Sequence, residues 1–273
     1  MLAQQRQAAI LDRVRSTGGV RVTELAAEFG VSDMTIRRDL EALHDRGLLA
    51  KVHGGATAAG PGSTDEPGFR AKSVRQLPEK AAIASRAAEL VRPGAAIALS
   101  AGTTTAELAR RLVDVPGLTV VTNSLPVAEI LHAGGRSDQT VVLTGGVRTP
   151  SDALVGPLAV AAIRSLHLDL LFLGVHGISE RAGFTTPNLM EAETDRALVA
   201  AADRLVVLAD HTKWGTVGIS SIVELAAAHV LVTDDRLPAD ARRVLGERVG
   251  ELVVVTGTGG GRTTAPTSGE VAQ

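Results

Sequence analysis

No cysteine occurs in the 273-residue chain. Disulfides and thiolate metal sites are thereby excluded, and the composition fits a reducing compartment. No apolar run approaches the ~18 residues that a membrane span requires. The first residues, "MLAQQRQAAILDRVR", space their apolar positions as a helix does and lack the apolar block of a secretory signal. An excess of one charge is also missing: 28 Lys and Arg against 30 Asp and Glu leave a formal net charge of −2. A near-neutral total still permits a local basic patch, so it decides little about partners. The expectation is a cytoplasmic protein with no membrane partner. The chain does have 45% hydrophobic residues, enough for a sizeable core and against global disorder. Its length suits one small and one larger domain.

Residues 1–56 read as three helices and a hairpin. Ile10, Leu11 and Val14 recur at helical spacing until Gly18-Gly19 stops the first helix. "VRV" (20–22) reads as a short strand. Thr23 is placed to N-cap "ELAAEFG", which Gly30 closes, and Ser32 is placed to cap a third helix with Asp33 in its first turn. Gly47 ends that helix near Arg46, and "LLAKVHGGA" reads as a strand entering a Gly54-Gly55 turn. Residues 57–68, "TAAGPGSTDEPG", read as a linker. Over 69–256, strands at 95–100, 118–122, 140–146, 168–174, 204–210, 229–235 and 251–256 alternate with helices such as "EAETDRALVAAA". Apolar strands separated by helices predict an α/β domain with a mostly parallel sheet covered on both faces. The tail, 257–273, is Gly/Thr-rich and reads as disordered. Its "GTGGG" is no dinucleotide fingerprint, because no helix follows it.

Within "VSDMTIRRDL" (31–40) a helical wheel puts Ile36, Leu40 and Leu43 on one stripe. Met34, Thr35, Arg37, Arg38 and Glu41 fall opposite. Two arginines on the exposed face of a helix that follows a Gly-closed turn match a helix-turn-helix, whose second helix enters the major groove. The arginine fork can pair with guanine O6 and N7, worth ~1–3 kcal/mol of discrimination. A solvated face with an Arg37–Glu41 pair would also accommodate them. The Gly-stopped helix, the Ser32 cap and the following hairpin, a wing carrying Lys51 and His53, favour DNA. Residues 1–56 hold 8 Lys and Arg and 7 Asp and Glu, a charge of only +1. Base-specific contact and dimerisation would have to compensate.

"ELAAEFGVSDMTIRRDLEALHDRGLLAKVHGGA" resembles the DNA-binding signature of the DeoR-type bacterial transcription regulators. Further motifs follow in the family's order: "EKAAIA", "AGTTTAELA", "VVTNS", "LTGG", "LVGP", "FLGVHGIS", "GFTTPN", "LADHTKWG" and "LVTDD". The resemblance covers nearly everything but the linker and tail. It implies a winged helix-turn-helix followed by an effector domain resembling the ribose-phosphate isomerase and coenzyme A transferase folds. It also implies a homo-oligomer, dimer or tetramer, that represses carbohydrate-catabolic genes on double-stranded operator DNA. A phosphorylated sugar effector would release it, with no cofactor or metal.

The residues of the second domain fit a phosphate site. In open α/β sheets ligands bind at the carboxyl ends of strands. "SAGTTT" follows one strand and opens a helix, so Gly102 and the amides and hydroxyls of Thr103, Thr104 and Thr105 are placed to meet an anion. Asn123, Ser124, Gly145 and Gly146 end the next two strands and are expected in the same crevice. The family resemblance adds Lys72, Lys80 and Lys213 as cations near the effector and Asp210 as a hydroxyl acceptor. Ser100 stands where the family usually has an acid, and His176 where it has Asp or Asn. Both are expected to border the pocket, and they put the ligand's identity in question more than its class. Two alternatives are a sugar-phosphate isomerase with an accessory DNA-binding domain and a coenzyme A-binding module. An isomerase needs a carboxylate base; Glu191, Asp169 and Asp210 are candidates, but no pair of acids is expected beside the Thr-rich loop.

Overall fold

Helical spacing of apolar residues organises the N-terminal part of the computed structural model. The structure describes residues 3–17, 19–46, 48–52, 54–58 and 68–256, in two units, Met1–Gly62 and Ser63–Gln273. The first holds α1 (Ala3–Thr17), β1 (Gly19–Arg21), α2 (Val22–Phe29), α3 (Asp33–Asp45), β2 (Leu49–Val52) and β3 (Gly55–Ala58). Ile10 and Val14 of α1, Leu25 of α2, and Ile36, Leu40 and Leu43 of α3 share one buried core with Leu49 and Ala56. β3 lies between β1 and β2, antiparallel to both.

Two local expectations are corrected here. The strand expected at 20–22 ends at Arg21, and Thr23 does not cap α2, which is flanked by Arg21 without any side-chain cap. The reason is tertiary: the Val22 amide donates to the Gly54 carbonyl at 2.9 Å, so the hairpin satisfies a first-turn donor. Gly30 closes α2 at φ 64, a left-handed conformation that a β-carbon disfavours. Gly18 and Gly47, the linker beyond Ala58 as far as residue 67, and the tail from 257 with its "GTGGG" lie outside the described residues.

The second unit contains α4 (Phe69–Ser73), α5 (Leu77–Ala88), β4 (Ala96–Leu99), α6 (Thr103–Leu112), β5 (Thr119–Thr122), α7 (Leu125–Gly134) and β6 (Thr140–Leu143). It continues with β7 (Val147–Arg148), β8 (Leu154–Val155), α8 (Pro157–Ile163), β9 (Leu168–Gly174), β10 (Gly177–Ser179) and β11 (Gly183–Thr186). Then come α9 (Leu189–Ala200), β12 (Ala202–Leu208), β13 (Ser220–Val223), β14 (Val230–Asp234), α10 (Ala239–Arg248) and β15 (Leu252–Val255).

Seven strands form one sheet in the order β15-β14-β12-β9-β4-β5-β6, every pairing parallel. Successive residues face opposite sides, so β9 sends Leu170 and Phe172 to one core and Leu171 and Leu173 to the other. Helices α5, α6 and α7 cover the first face, and α8, α9 and α10 the second. The chain runs outward from β4 through β5 and β6, then returns to β9 beside β4 and runs outward the other way. The switch point therefore falls between β4 and β9, where a crevice opens at their carboxyl ends.

The expected strand 140–146 stops at Leu143. Gly146, at φ 123, passes so close to Val155 that a β-carbon would lie 2.5 Å from its carbonyl oxygen. The chain therefore turns off into the β7–β8 hairpin. A small antiparallel sheet, β10-β11-β13, was also absent from the expected alternation. Its Gly-, Ser- and Thr-rich strands carry too few apolar residues to show a period.

Candidate functional site

In the first unit, Ser32 Oγ accepts the Thr35 amide at 3.3 Å and sits 2.9 Å from Thr35 Oγ1, fixing the start of α3. Met34 is 61% exposed, and Arg37 and Arg38 are exposed beside it. Neither arginine forms an ion pair among the described residues, so the expected Arg37–Glu41 alternative gains no support. Behind this face, Asp39 is buried and accepts Arg6 Nε at 2.5 Å and Gln7 Nε2 at 3.0 Å. That bridge ties α3 to α1, and the wheel did not reveal it. Lys51 lies in β2 opposite Ala56. Its side chain, and His53 altogether, lie outside the described residues.

In the second unit a cavity opens at the switch point. Gly102, Thr103 and Thr104, at the N-terminal turn of α6, form one wall. Asn123 beyond β5 and His176 beyond β9 form others, joined by Lys72, Lys80 and Lys213. Lys80 is buried, with Nζ donating to the Lys72 carbonyl at 2.6 Å and the Arg75 carbonyl at 2.5 Å. Its pKa is lowered to about 8: burial is the main cause, Asp210 opposes it, and Lys213, Lys72 and Arg75 add to it. Lys72 Nζ donates to Ser151 Oγ at 3.0 Å. Lys213 ends a short 3-10 turn capped by Asp210, which accepts the amide and hydroxyl of Thr212. Asp234 fastens the same turn, accepting His211 N at 2.7 Å and His211 Nδ1 at 2.9 Å.

Six expected site residues do not reach the cavity wall. Ser100 Oγ accepts the Gly174 amide at 3.0 Å and so joins β4 to β9 inside the sheet. Thr105 is fully buried, donating to the Gly102 carbonyl at 3.0 Å. Ser124 caps α7 by accepting the Val127 amide at 3.3 Å. Gly145 and Gly146 make the turn from β6 to β7. Asp210, whose charge acts on Lys80, is spent on its own turn. Each serves the strand end that identified it, which sequence spacing alone cannot separate from lining a crevice.

The expectation that no pair of acids attends the Thr-rich loop is corrected. Glu191 and Asp195, one turn apart on α9, both line the cavity, as do Ser151 and Thr186. Glu191 accepts Thr149 Oγ1 at 2.9 Å and Thr186 Oγ1 at 3.0 Å. Asp195 is buried, and its pKa is raised well above the usual carboxylate range by that burial first and by Glu191 second, with Arg196 opposing. The signal was present in "NLMEAETD", an Asn cap followed by acids at helical spacing, but nothing local marked that face as inward.

A helix-turn-helix with a hairpin wing, joined to an α/β unit with a cation-lined crevice, defines the class of ligand-responsive DNA-binding proteins. Family models match twice: the DeoR-like helix-turn-helix domain over residues 6–61 and the DeoR C-terminal sensor domain over residues 75–235. The chain belongs to the DeoR family of transcription regulators. It is 38% identical to the regulator GlpR of Haloferax volcanii, covering 93% of this chain and 98% of that one. It is 37% identical to the regulator YgbI of Escherichia coli, covering 90% and 95%. The transcriptional repressor AccR of Agrobacterium fabrum is 34% identical, covering 85% and 89%. Among solved structures, ribose 5-phosphate isomerase A of Neisseria gonorrhoeae overlaps at TM-score 0.37 and 16% identity, covering 53% of this chain and 56% of that one.

Proposed function

We infer that this regulator represses carbohydrate-catabolic genes and leaves its operator when a phosphorylated sugar fills the switch-point cavity. The observation that carries the reading is the meeting of Lys72, Lys80 and Lys213 with the N-terminal turn of α6. Three cations, backbone donors and threonine hydroxyls converge where a dianion would relieve their mutual repulsion. Arg37 and Arg38 read bases, with Met34 and Thr35 beside them, while Ser32, Lys51 and His53 serve the backbone and wing. The protein acts in the cytoplasm as a homo-oligomer whose paired recognition helices are set ~34 Å apart for successive major grooves. A complete reversal of occupancy requires the effector to distinguish the two states by ~5.5 kcal/mol.

The test is operator binding by fluorescence anisotropy with and without a panel of sugar phosphates. Release by none of them, with inorganic phosphate failing to stabilise the protein, would sink the reading. Lys213→Ala is expected to keep operator affinity within about twofold while raising the effector concentration for half-release by tenfold or more. That factor is the ~1.5–3 kcal/mol of a charge-assisted hydrogen bond.

Effector affinity should also depend on pH. Lys80 carries its charge below about 8, and a phosphate monoester is a dianion above ~6. Binding is therefore strongest between those values and falls as pH rises through 8, which isothermal titration at pH 7 and 9 checks. Without ligand the sign on stability is opposite. The unfolded chain holds the Lys80 proton up to 10.5 and the folded one only to about 8. This group's contribution to stability accordingly rises with pH between those two values.

An isomerase reading gains one observation, the acids at the cavity. Their chemistry gives it little: Glu191 is engaged by two hydroxyls, and burial disfavours the ionised form of Asp195 that a general base needs. Turnover of pentose or hexose phosphates would restore it.

A further inference from the structure

Asp195 is a polar group of the cavity lining to which the phosphate reading gives no task. It is 7% exposed, lines the cavity, and makes no hydrogen bond or ion pair among the described residues. A carboxyl taken out of water without a donor is costly, so a fold retains one where something else supplies the donor. The neighbours do not supply it. Glu191, one turn earlier, is another acid, already holding the hydroxyls of Thr149 and Thr186. Arg196, the adjacent cation, is turned toward β13, donating to Ser220 Oγ at 3.1 Å and to the Ser221 carbonyl. The charges acting on Lys80 come from Asp210, Lys213, Lys72 and Arg75, while those acting on Asp195 come from Glu191 and Arg196. The cavity lining therefore holds both cations, Lys72, Lys80 and Lys213, and acids, Glu191 and Asp195.

We propose that Asp195, together with Glu191, is the specificity-determining end of the cavity and selects a phosphorylated sugar that carries a protonated amine. The inference rests on the phosphate reading given above and adds the chemistry of the ligand's other end. An ammonium brings three donors and a positive charge. It satisfies Asp195, screens it from Glu191 and lets both carboxylates ionise together. A sugar hydroxyl brings one donor and no charge, and leaves the two acids opposed. The phosphate lies against Lys72, Lys80 and Lys213, so such a ligand carries a charge to match each kind of group in the lining.

Isothermal titration of the full-length protein with hexosamine 6-phosphate, the matching hexose 6-phosphate and inorganic phosphate decides the matter. The wild type is expected to bind the amino sugar phosphate at least tenfold more tightly than the neutral one. Asp195→Asn, which keeps the shape and removes the charge, is expected to bring the two affinities within about twofold by weakening the amino ligand alone. Equal or reversed wild-type preference overturns the proposal, as does a preference that survives in Asp195→Asn. If that variant fails to fold, as judged by its circular dichroism, the wild-type ratio alone decides. Failure of all three ligands, inorganic phosphate included, sinks the phosphate reading and this proposal with it. Binding of the neutral ligand alone sinks only the proposal.

Discussion

Asp39→Ala is expected to destabilise the DNA-binding unit by about 3–5 kcal/mol, the range for removing one partner of a buried ion pair. The loss is large because Arg6 is itself buried, and its guanidinium, 2.5 Å from the carboxylate, would be left inside without a counter-charge. Gln7 would lose its acceptor as well. The measurement exploits the single tryptophan, Trp214, which lies in the second unit. Denaturant unfolding followed by far-ultraviolet circular dichroism should show an early loss of helix, while the Trp214 fluorescence transition stays in place. Replacing both partners, as in Arg6→Met with Asp39→Leu, should recover most of the stability, because an apolar pair of similar size carries no desolvation penalty. Coincident dichroism transitions in wild type and Asp39→Ala would show that the bridge contributes little.

The second large effect concerns the opposite side of the same helix. Arg37→Ala combined with Arg38→Ala is expected to weaken specific operator binding by ~2–6 kcal/mol, from ~1–3 kcal/mol for each good base pairing. Both side chains are exposed and unpaired among the described residues, so their removal should leave melting unchanged. The two variants thus separate cleanly: one side of α3 governs folding, the other recognition. Competition with non-specific DNA sharpens the test, since base contacts raise specific affinity while phosphate contacts raise both. An equal loss on specific and random DNA would reassign the arginines to the phosphate backbone.

The two units differ in how much of their structure is legible in the sequence. Ile36, Leu40 and Leu43 at helical spacing were sufficient to orient α3 and turn Arg37 and Arg38 outward. Ser32 and Gly30 marked its approach correctly, because N-caps and left-handed closures depend on residues within one turn. Thr23 failed as a cap for the converse reason: the helix begins one residue earlier, at Val22, whose amide is held by the Gly54 carbonyl from the hairpin. Asp39 looked like one more polar residue, since no local rule shows that Arg6, far away in sequence, is folded against it.

In the second unit the seven apolar runs declared the parallel sheet, and "AGTTT" declared a helix N-terminus at a strand end. The division among Gly/Ser/Thr positions did not show. Ser100 and Ser124 stand just beyond strand ends as Asn123 does, and all three are buried and hydrogen-bonded to backbone amides, yet of these Asn123 alone lines the cavity.

Alone, the sequence determined the main helices, the strands of the parallel sheet and the outward arginines, because these follow from periodicity and from residues adjacent in the chain. The three lysines of the crevice came from the family resemblance. Only the tertiary structure decided which polar groups line the cavity and that Glu191 and Asp195 stand there with the lysines. Side-chain direction at a sheet's carboxyl edge depends on how β4, β9 and α9 meet, and that meeting is set by packing between segments remote in sequence.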